Sequence, residues 1–416
     1  MYLKCDKTKE SILNKNIEPF KIFLYLWILI LPWDFTKGIM GIFSIIMIIW
    51  WLIIGKRKGY YTKLKEIFYN KSLLLFYIFL LYAYISLLWS NNLEFGINHL
   101  NFYKYYWIVV PILFTVFEKE DVKNVLYILV ISFGLYALFS LSIFVGLFEI
   151  RGSNSSNPKG ILAYAVVTVY MAITTLWAFY FYLNEENKKM KYFMLFISII
   201  SFIALFANNG RIGQISFFAT IFILMIYHRQ YLIEYKKTLI LFIISILFGF
   251  SLLYSFGKLD RFIIGAKELT ILENTQFAGS WGHRAYMWYA AADGISNHPF
   301  FGAGVGDTID EFIEYGNKNP SKATWLRSYH NQHLDYVTKY GIFGYLLFIS
   351  SIFVLLNSLY KYDRYFFTIG LIFFSIVLVD SLGDIILLMK PFNNIYALVF
   401  TMLSILVHKK YIEDKK

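Results

Sequence analysis

The chain has 416 residues, 58% hydrophobic and 21% aromatic with only 16% charged, and a mean hydropathy of +0.55, which excludes an ordinary water-soluble domain. The formal net charge is +12, but the basic residues fall in short runs between apolar segments, so they read as topology signals rather than as a nucleic-acid surface. The one cysteine, Cys5, precedes the first apolar run, which excludes an internal disulfide and a cysteine-based metal site.

A bilayer core takes about 20 mainly apolar residues per helix. Twelve segments fit or nearly fit: 20–35, 38–55, 72–90, 100–117, 123–148, 160–183, 191–207, 212–228, 238–256, 334–358, 365–386 and 391–408. The polar start and the lack of a small-residue cleavage site after the first run predict a retained first helix, not a removed signal peptide. With the N-terminus in the cytoplasm, the inside segments hold Lys4, Lys7, Lys9, Lys15 and Lys21, the basic run from Lys56 to Lys71, Lys119 and Lys123, Lys188 to Lys191, Arg229 to Lys237, Lys361 and Arg364, and the tail from Lys409. The short outside loops hold only Lys37, Arg151, Lys159, Arg211 and Lys390. This asymmetry predicts an all-α polytopic membrane protein with both termini cytoplasmic. It also puts the long polar segment 257–333, between the ninth and tenth helices, on the outer face. No linker, low-complexity tract or internal repeat divides the chain. Residues 1–416 therefore read as one membrane domain with 257–333 as an embedded loop subdomain.

The outer segments carry the candidate chemistry, because loops on a rigid scaffold carry function. Arg211 sits in a tight turn, Ala207-Asn208-Asn209-Gly210-Arg211-Ile212-Gly213. It reads either as a snorkelling interfacial arginine or as an anion clamp, whose planar fork matches phosphate oxygens. Arg284 lies in a helix expected over about 283–296, on one face with Met287, Trp288 and Ala291. The segment Pro299-Phe300-Phe301-Gly302-Ala303-Gly304 is rich in turns; without a preceding βαβ pattern or a P-loop lysine it does not read as a nucleotide loop. His330 is expected in the first turn of the tenth helix, behind Ser328 as N-cap and on one face with His333. There the helix dipole would keep its imidazole neutral and able to accept a proton. A metal site built on His330 and His333 is the other reading of that pair. Gly341-x-x-Gly344 reads as a close helix-packing motif. Asp380 and Asp384, spaced i, i+4 near the outer end of a span, are functional candidates, as partners of the external arginines or as part of an ion path.

Taken in order, these residues resemble the O-antigen ligase and O-antigen polymerase family of bacterial envelope glycosyltransferases. The matching pattern is an arginine in a short outer turn (Asn209-Gly210-Arg211), Arg284-x-x-x-Trp288 in the large loop, Asn297-His298-Pro299, Gly302-Ala303-Gly304, and His330-Asn331 running into a helix with Gly341-x-x-Gly344. Family members often have Ser-Arg-Gly at the outer turn, where this chain has Gly210-Arg211-Ile212-Gly213.

The resemblance implies a GT-C-like membrane fold in the bacterial inner membrane. It implies an inverting, metal-independent transferase with no cofactor and a periplasmic active site. The donor would be a glycan on undecaprenyl diphosphate and the acceptor a hydroxyl of the lipid A–core oligosaccharide. Arg211 and Arg284 would bind the diphosphate, with His330 as the third catalytic residue, orienting or deprotonating the acceptor. Arg151, Lys159, Arg327, His333 and Trp288 are weaker candidates for substrate contacts. Within the family the alternatives are an O-antigen polymerase and a protein O-oligosaccharyltransferase. From another class, a transporter or flippase would show inverted repeats and mid-membrane charges.

Overall fold

The computed structural model describes residues 18–33, 37–229, 260–272 and 276–408, together with a few positions between 240 and 257. Cys5, the basic N- and C-terminal tails and about half of the expected ninth span, 238–256, lie outside the described residues.

Among the described residues the protein is helical, with two isolated β-bridges at 150–157 and no strand. In chain order the helices are α1 (Pro19–Ile30), α2 (Lys37–Lys58), α3 (Lys71–Ile85), α4 (Leu93–Leu100), α5 (Lys104–Val116), α6 (Lys119–Phe144), α7 (Tyr164–Asn184), α8 (Lys188–Ala207) and α9 (Arg211–Tyr227). They continue with α10 (Asp260–Thr270), α11 (Ser280–Asn297), α12 (Thr308–Lys318), α13 (Gln332–Tyr362), α14 (Arg364–Asp380) and α15 (Lys390–Leu406). Local signals fix many starts. Asn70 accepts bonds from Ser72 N and Leu73 N at α3, Asn187 does the same for α8, and Glu118 with Asp121 forms a capping box at α6.

Among the described residues six helices are long and apolar enough to cross a membrane: Met40–Lys58, Lys71–Trp89, Lys119–Phe144, Tyr164–Asn184, Lys188–Ala207 and Gln332–Tyr362. The helices Pro19–Trp33 and Arg211–Tyr227 are apolar but shorter. The protein is thus an all-α polytopic membrane protein. The fourth expected span, 100–117, is helical only as α5, because it opens on the last residue of α4 and a turn at 101–103. With 13 residues and an internal Pro111, α5 reaches only about 20 Å, short of a hydrocarbon core about 30 Å thick.

The central helix is α15, buried without interruption from Phe392 to Leu406. A helix apolar all round belongs inside the bundle. The outward faces carry Ile49, Ile53, Leu81, Leu88, Phe222 and Phe353, all exposed, which is what a helix turned toward lipid presents. One end of the bundle is closed by ion pairs: Lys21 with Asp121 at 2.6 Å, Lys58 with Glu18 at 3.2 Å, Lys123 with Glu185 at 3.4 Å, and Lys63 with Glu118. These are the basic segments expected inside.

At the opposite end, α11, α12 and the segment after them bury a second, smaller core around Tyr286, Met287, Ala291, Phe312, Leu326 and Tyr329. Burial pushes the phenols of Tyr286 and Tyr329 above their ordinary range, so both stay neutral hydrogen-bonding groups. This unit is stitched to the bundle by backbone bonds. Ala303 N donates to Thr338 O (2.9 Å), Gly304 N to Lys339 O (3.1 Å) and Ile342 N to Pro299 O (3.0 Å). The partner segment is free to pair because α13 breaks at Gly341, whose φ is 65°. A Cβ there would lie 2.1 Å from Phe300 O. The motif expected as plain helix packing is therefore a break at Gly341, while Gly344 does pack closely, against Tyr82. On the other side, Asp307 accepts bonds from the backbone N–H groups of Asn91 and Asn92 at 2.7 to 2.9 Å and so clamps the loop to the start of α4.

Candidate functional site

The loop-bearing end of the bundle encloses a cavity of about 230 Å³. Its wall includes the first residues of three helices: Tyr164 and Ala165 of α7, Arg211 to Gly213 of α9, and Ser280, Trp281 and Arg284 of α11. None of these helices is capped by the side chain of its own N-cap residue, which is Ala163, Gly210 or Gly279. A helix N-terminus carries about half a positive charge and points its N–H groups outward. At α11 the Glu268 carboxylate already accepts from Trp281 N at 2.7 Å, so the starts of α7 and α9 are the two that offer positive ends to an anion in the cavity.

The turn into α9 exists because two glycines let it press on α7. A Cβ at Gly210 or Gly213 would lie 2.2 or 2.4 Å from Thr168 Oγ1. This sets Arg211 at the first helical position, on the cavity wall. Its Nη2 donates to Ser280 Oγ at 3.0 Å. Arg284, one helical turn beyond Ser280, donates from Nη1 to the same Oγ at 2.9 Å and from Nε to Gly383 O at 3.3 Å. It also lies 5.7 Å from the Trp281 ring centroid. Two arginines distant in sequence thus meet on one hydroxyl. Guanidinium groups stay protonated throughout the working pH range, and each offers a fork suited to phosphate oxygens.

His330 is not in a helical turn. The helix starts at Gln332, and Asn331, not Ser328, is its N-cap, its side chain accepting from His333 N and Leu334 N at 3.0 and 3.1 Å. Asn331 wins because its short acceptor sits directly ahead of the free N–H groups. His330 instead takes a left-handed conformation, φ 43°. The dipole argument for its neutrality therefore does not apply. What holds it is Asp384, whose Oδ1 lies 3.3 Å from His330 Nδ1. Asp384 is buried and lines the cavity, and its turn is tied to the start of α13 by Asn331 Nδ2 to Leu382 O (3.0 Å) and Gln332 N to Ser381 O (2.8 Å). An imidazole held through Nδ1 by a carboxylate presents Nε2 as a base, and the carboxylate stabilises the imidazolium that forms. Asp380 also lines the cavity, as the last residue of α14; Asp384 lies past the helix end rather than within the span.

The weaker candidates are placed elsewhere. Both ring nitrogens of His333 are engaged, with Tyr345 Oη at 2.9 Å and Leu378 O at 2.8 Å, so it has no nitrogen left for a metal or a sugar. Trp288 packs against the loop core and is not on the cavity wall. Arg327 Nη1 turns back to Thr324 O and Leu326 O at 2.6 and 2.7 Å. Arg151 is exposed and Lys159 donates to Leu162 O at 3.3 Å; both belong to the turn that supplies Asn157 to the cavity wall. Sequence reasoning missed Ser280, Asn157, the three helix starts and the pairing of Asp384 with His330. For Ser280 a signal existed: it lies four residues before Arg284 at a helix start.

Fold and site define a class: a polytopic helical membrane protein with a cavity walled by two arginines, beside a histidine paired with a buried carboxylate, at the end carrying its large loop. Residues 196–349 match the family model described as O-antigen ligase. Over that stretch, a little over a third of its length, the chain is similar to the O-antigen ligase family. The match takes in Arg211, Arg284, His330 and the break at Gly341, whereas Asp380 and Asp384 lie beyond it. No curated protein matches the chain.

Proposed function

We propose that this protein is an O-antigen ligase that moves a glycan from undecaprenyl diphosphate to a hydroxyl of the lipid A–core oligosaccharide at the periplasmic face of the inner membrane. The observation that carries this reading is the meeting of Arg211 and Arg284 on Ser280 Oγ, at a cavity where three helices begin. The diphosphate takes the place of the Ser280 hydroxyl between the two forks. As the bond from the sugar's anomeric carbon to the phosphate oxygen breaks, charge grows on the leaving diphosphate and the guanidinium groups stabilise it. The acceptor oxygen attacks the opposite face of that carbon, which inverts it, and its proton passes to His330 Nε2. Asp384 holds the ring and the charge it gains. A lipid diphosphate is a good leaving group, so positioning and charge stabilisation carry the rate and no acid is required on the leaving side.

The test is transfer by the purified protein from undecaprenyl-diphosphate glycan to lipid A–core in the presence of EDTA. Transfer only to a second lipid-linked glycan would identify a polymerase, transfer to protein serines an oligosaccharyltransferase, and movement across a membrane without transfer a flippase. Replacing His330 or Arg284 by Ala should leave a folded protein that no longer ligates; full ligation by His330→Ala would remove the proposed base.

A further inference from the structure

The cavity wall is not uniformly cationic. Asp380 is 0% exposed, yet both of its carboxylate oxygens lack a hydrogen-bond partner. Asn157 Oδ1, on the same cavity, is likewise buried and without a partner. Of the donors nearby, Thr168 Oγ1 goes to Tyr164 O at 3.0 Å and Asn209 Nδ2 to Ser156 O at 3.2 Å, while Arg284, near enough for its charge to act on Asp380, directs Nε and Nη1 to Gly383 O and Ser280. A buried carboxylate left unpaired is costly, and native structures keep one only for a reason. What this part of the wall lacks is hydrogen-bond donors. An ionised diphosphate has none to give, whereas a pyranose offers hydroxyl groups, and an acetamido sugar an amide N–H besides.

We infer that Asp380 and Asn157 form a subsite for the sugar directly attached to the diphosphate, with Asp380 accepting hydrogen bonds from its hydroxyl or amide groups. This rests on the reading of the cavity as a lipid-diphosphate site. It divides the cavity into a cationic part for the diphosphate, at Arg211 and Arg284, and an acceptor part for the sugar, at Asp380 and Asn157. Asp380 thereby selects a glycosylated carrier over the bare lipid diphosphate released as product.

The experiment measures binding of three probes to the full-length protein in lipid nanodiscs with EDTA: undecaprenyl diphosphate, the same lipid bearing one hexose, and the same lipid bearing one N-acetylhexosamine. Wild type is expected to bind at least one glycosylated probe more tightly than the bare diphosphate. Asp380→Asn keeps the shape and should weaken that probe by about 10- to 100-fold, the value of hydrogen bonds to a charged group, while binding the bare diphosphate as well as or better than wild type. Asn157→Ala, which leaves the backbone bonds of its turn in place, should lower the same preference less. Arg211→Ala should weaken all three probes. Equal binding of all probes by wild type, or an equal loss on all probes in Asp380→Asn and Asn157→Ala, would overturn the subsite. Failure of wild type to bind any of the three would overturn the diphosphate reading instead.

Discussion

The chemistry turns on side-chain pairs that the fold, not the sequence order, brings together. Arg284 makes its bonds from Nε and Nη1 of one planar group, a geometry that a lysine's single ammonium does not reproduce. Arg284→Lys should therefore behave nearly as Arg284→Ala, with kcat/KM for the lipid-linked donor down by about 100-fold or more, the scale of a lost charge stabiliser. Rescue by lysine would mean that charge alone suffices. Asp384 acts through His330. Asp384→Asn should lower kcat by about 10- to 100-fold and move the pH–rate profile. Combined with His330→Ala it should add little, because the two act as a unit. Additive losses would separate them. The sequence offered Arg211, Arg284 and His330 as chemistry-bearing residues by type and by place in outer segments. It did not offer the bond from Arg211 to Ser280 or the bond from Asp384 to His330, since neither contact obeys a periodicity and each joins residues far apart in the chain.

At the scale of elements, α13 and the loop that grips it set the position of the site. Gly341 has φ 65°, and its Cβ would collide with Phe300 O at 2.1 Å. Gly341→Ala should lose about 1–3 kcal/mol from backbone strain alone, more from the clash, seen as a fall in the melting temperature of the detergent-solubilised protein with loss of transfer. An unchanged melting temperature would mean that the break is not required. The first half of α13 also holds Lys339 and Asp335 as a buried pair, Nζ to Oδ1 at 2.6 Å. Removing one partner strands a buried charge, so Asp335→Ala should cost about 3–5 kcal/mol, while joint replacement of both by apolar residues should cost much less. The glycines at 302, 304 and 341 were visible as a pattern, but periodicity cannot tell a helix-packing glycine from one that breaks a helix to pair with a loop. Likewise Ser328 read as the cap, but Asn331, three residues on, sits directly ahead of the free N–H groups and takes that place.

At the scale of the whole molecule, hydropathy and charge asymmetry made the architecture legible, because a bilayer forces long apolar helices and sorts basic loops. They could not resolve α4 from α5, where a short helix and a turn share one apolar stretch. The ion-paired end and the cavity end lie at opposite ends of the bundle. In a Cys5→Ser background, a cysteine at Glu314 in the large loop should react with a membrane-impermeant maleimide added to spheroplasts, and one at Lys189 should react only after lysis. The reverse pattern would put the cavity in the cytoplasm. The most direct measurement is transfer by purified protein from undecaprenyl-diphosphate glycan to lipid A–core with EDTA present, wild type against Arg284→Ala. Glycosylated core from wild type and none from a folded Arg284→Ala is the expected result. Equal product from both, or lipid translocation with no product from either, would contradict the assignment of this cavity as the site of glycan transfer.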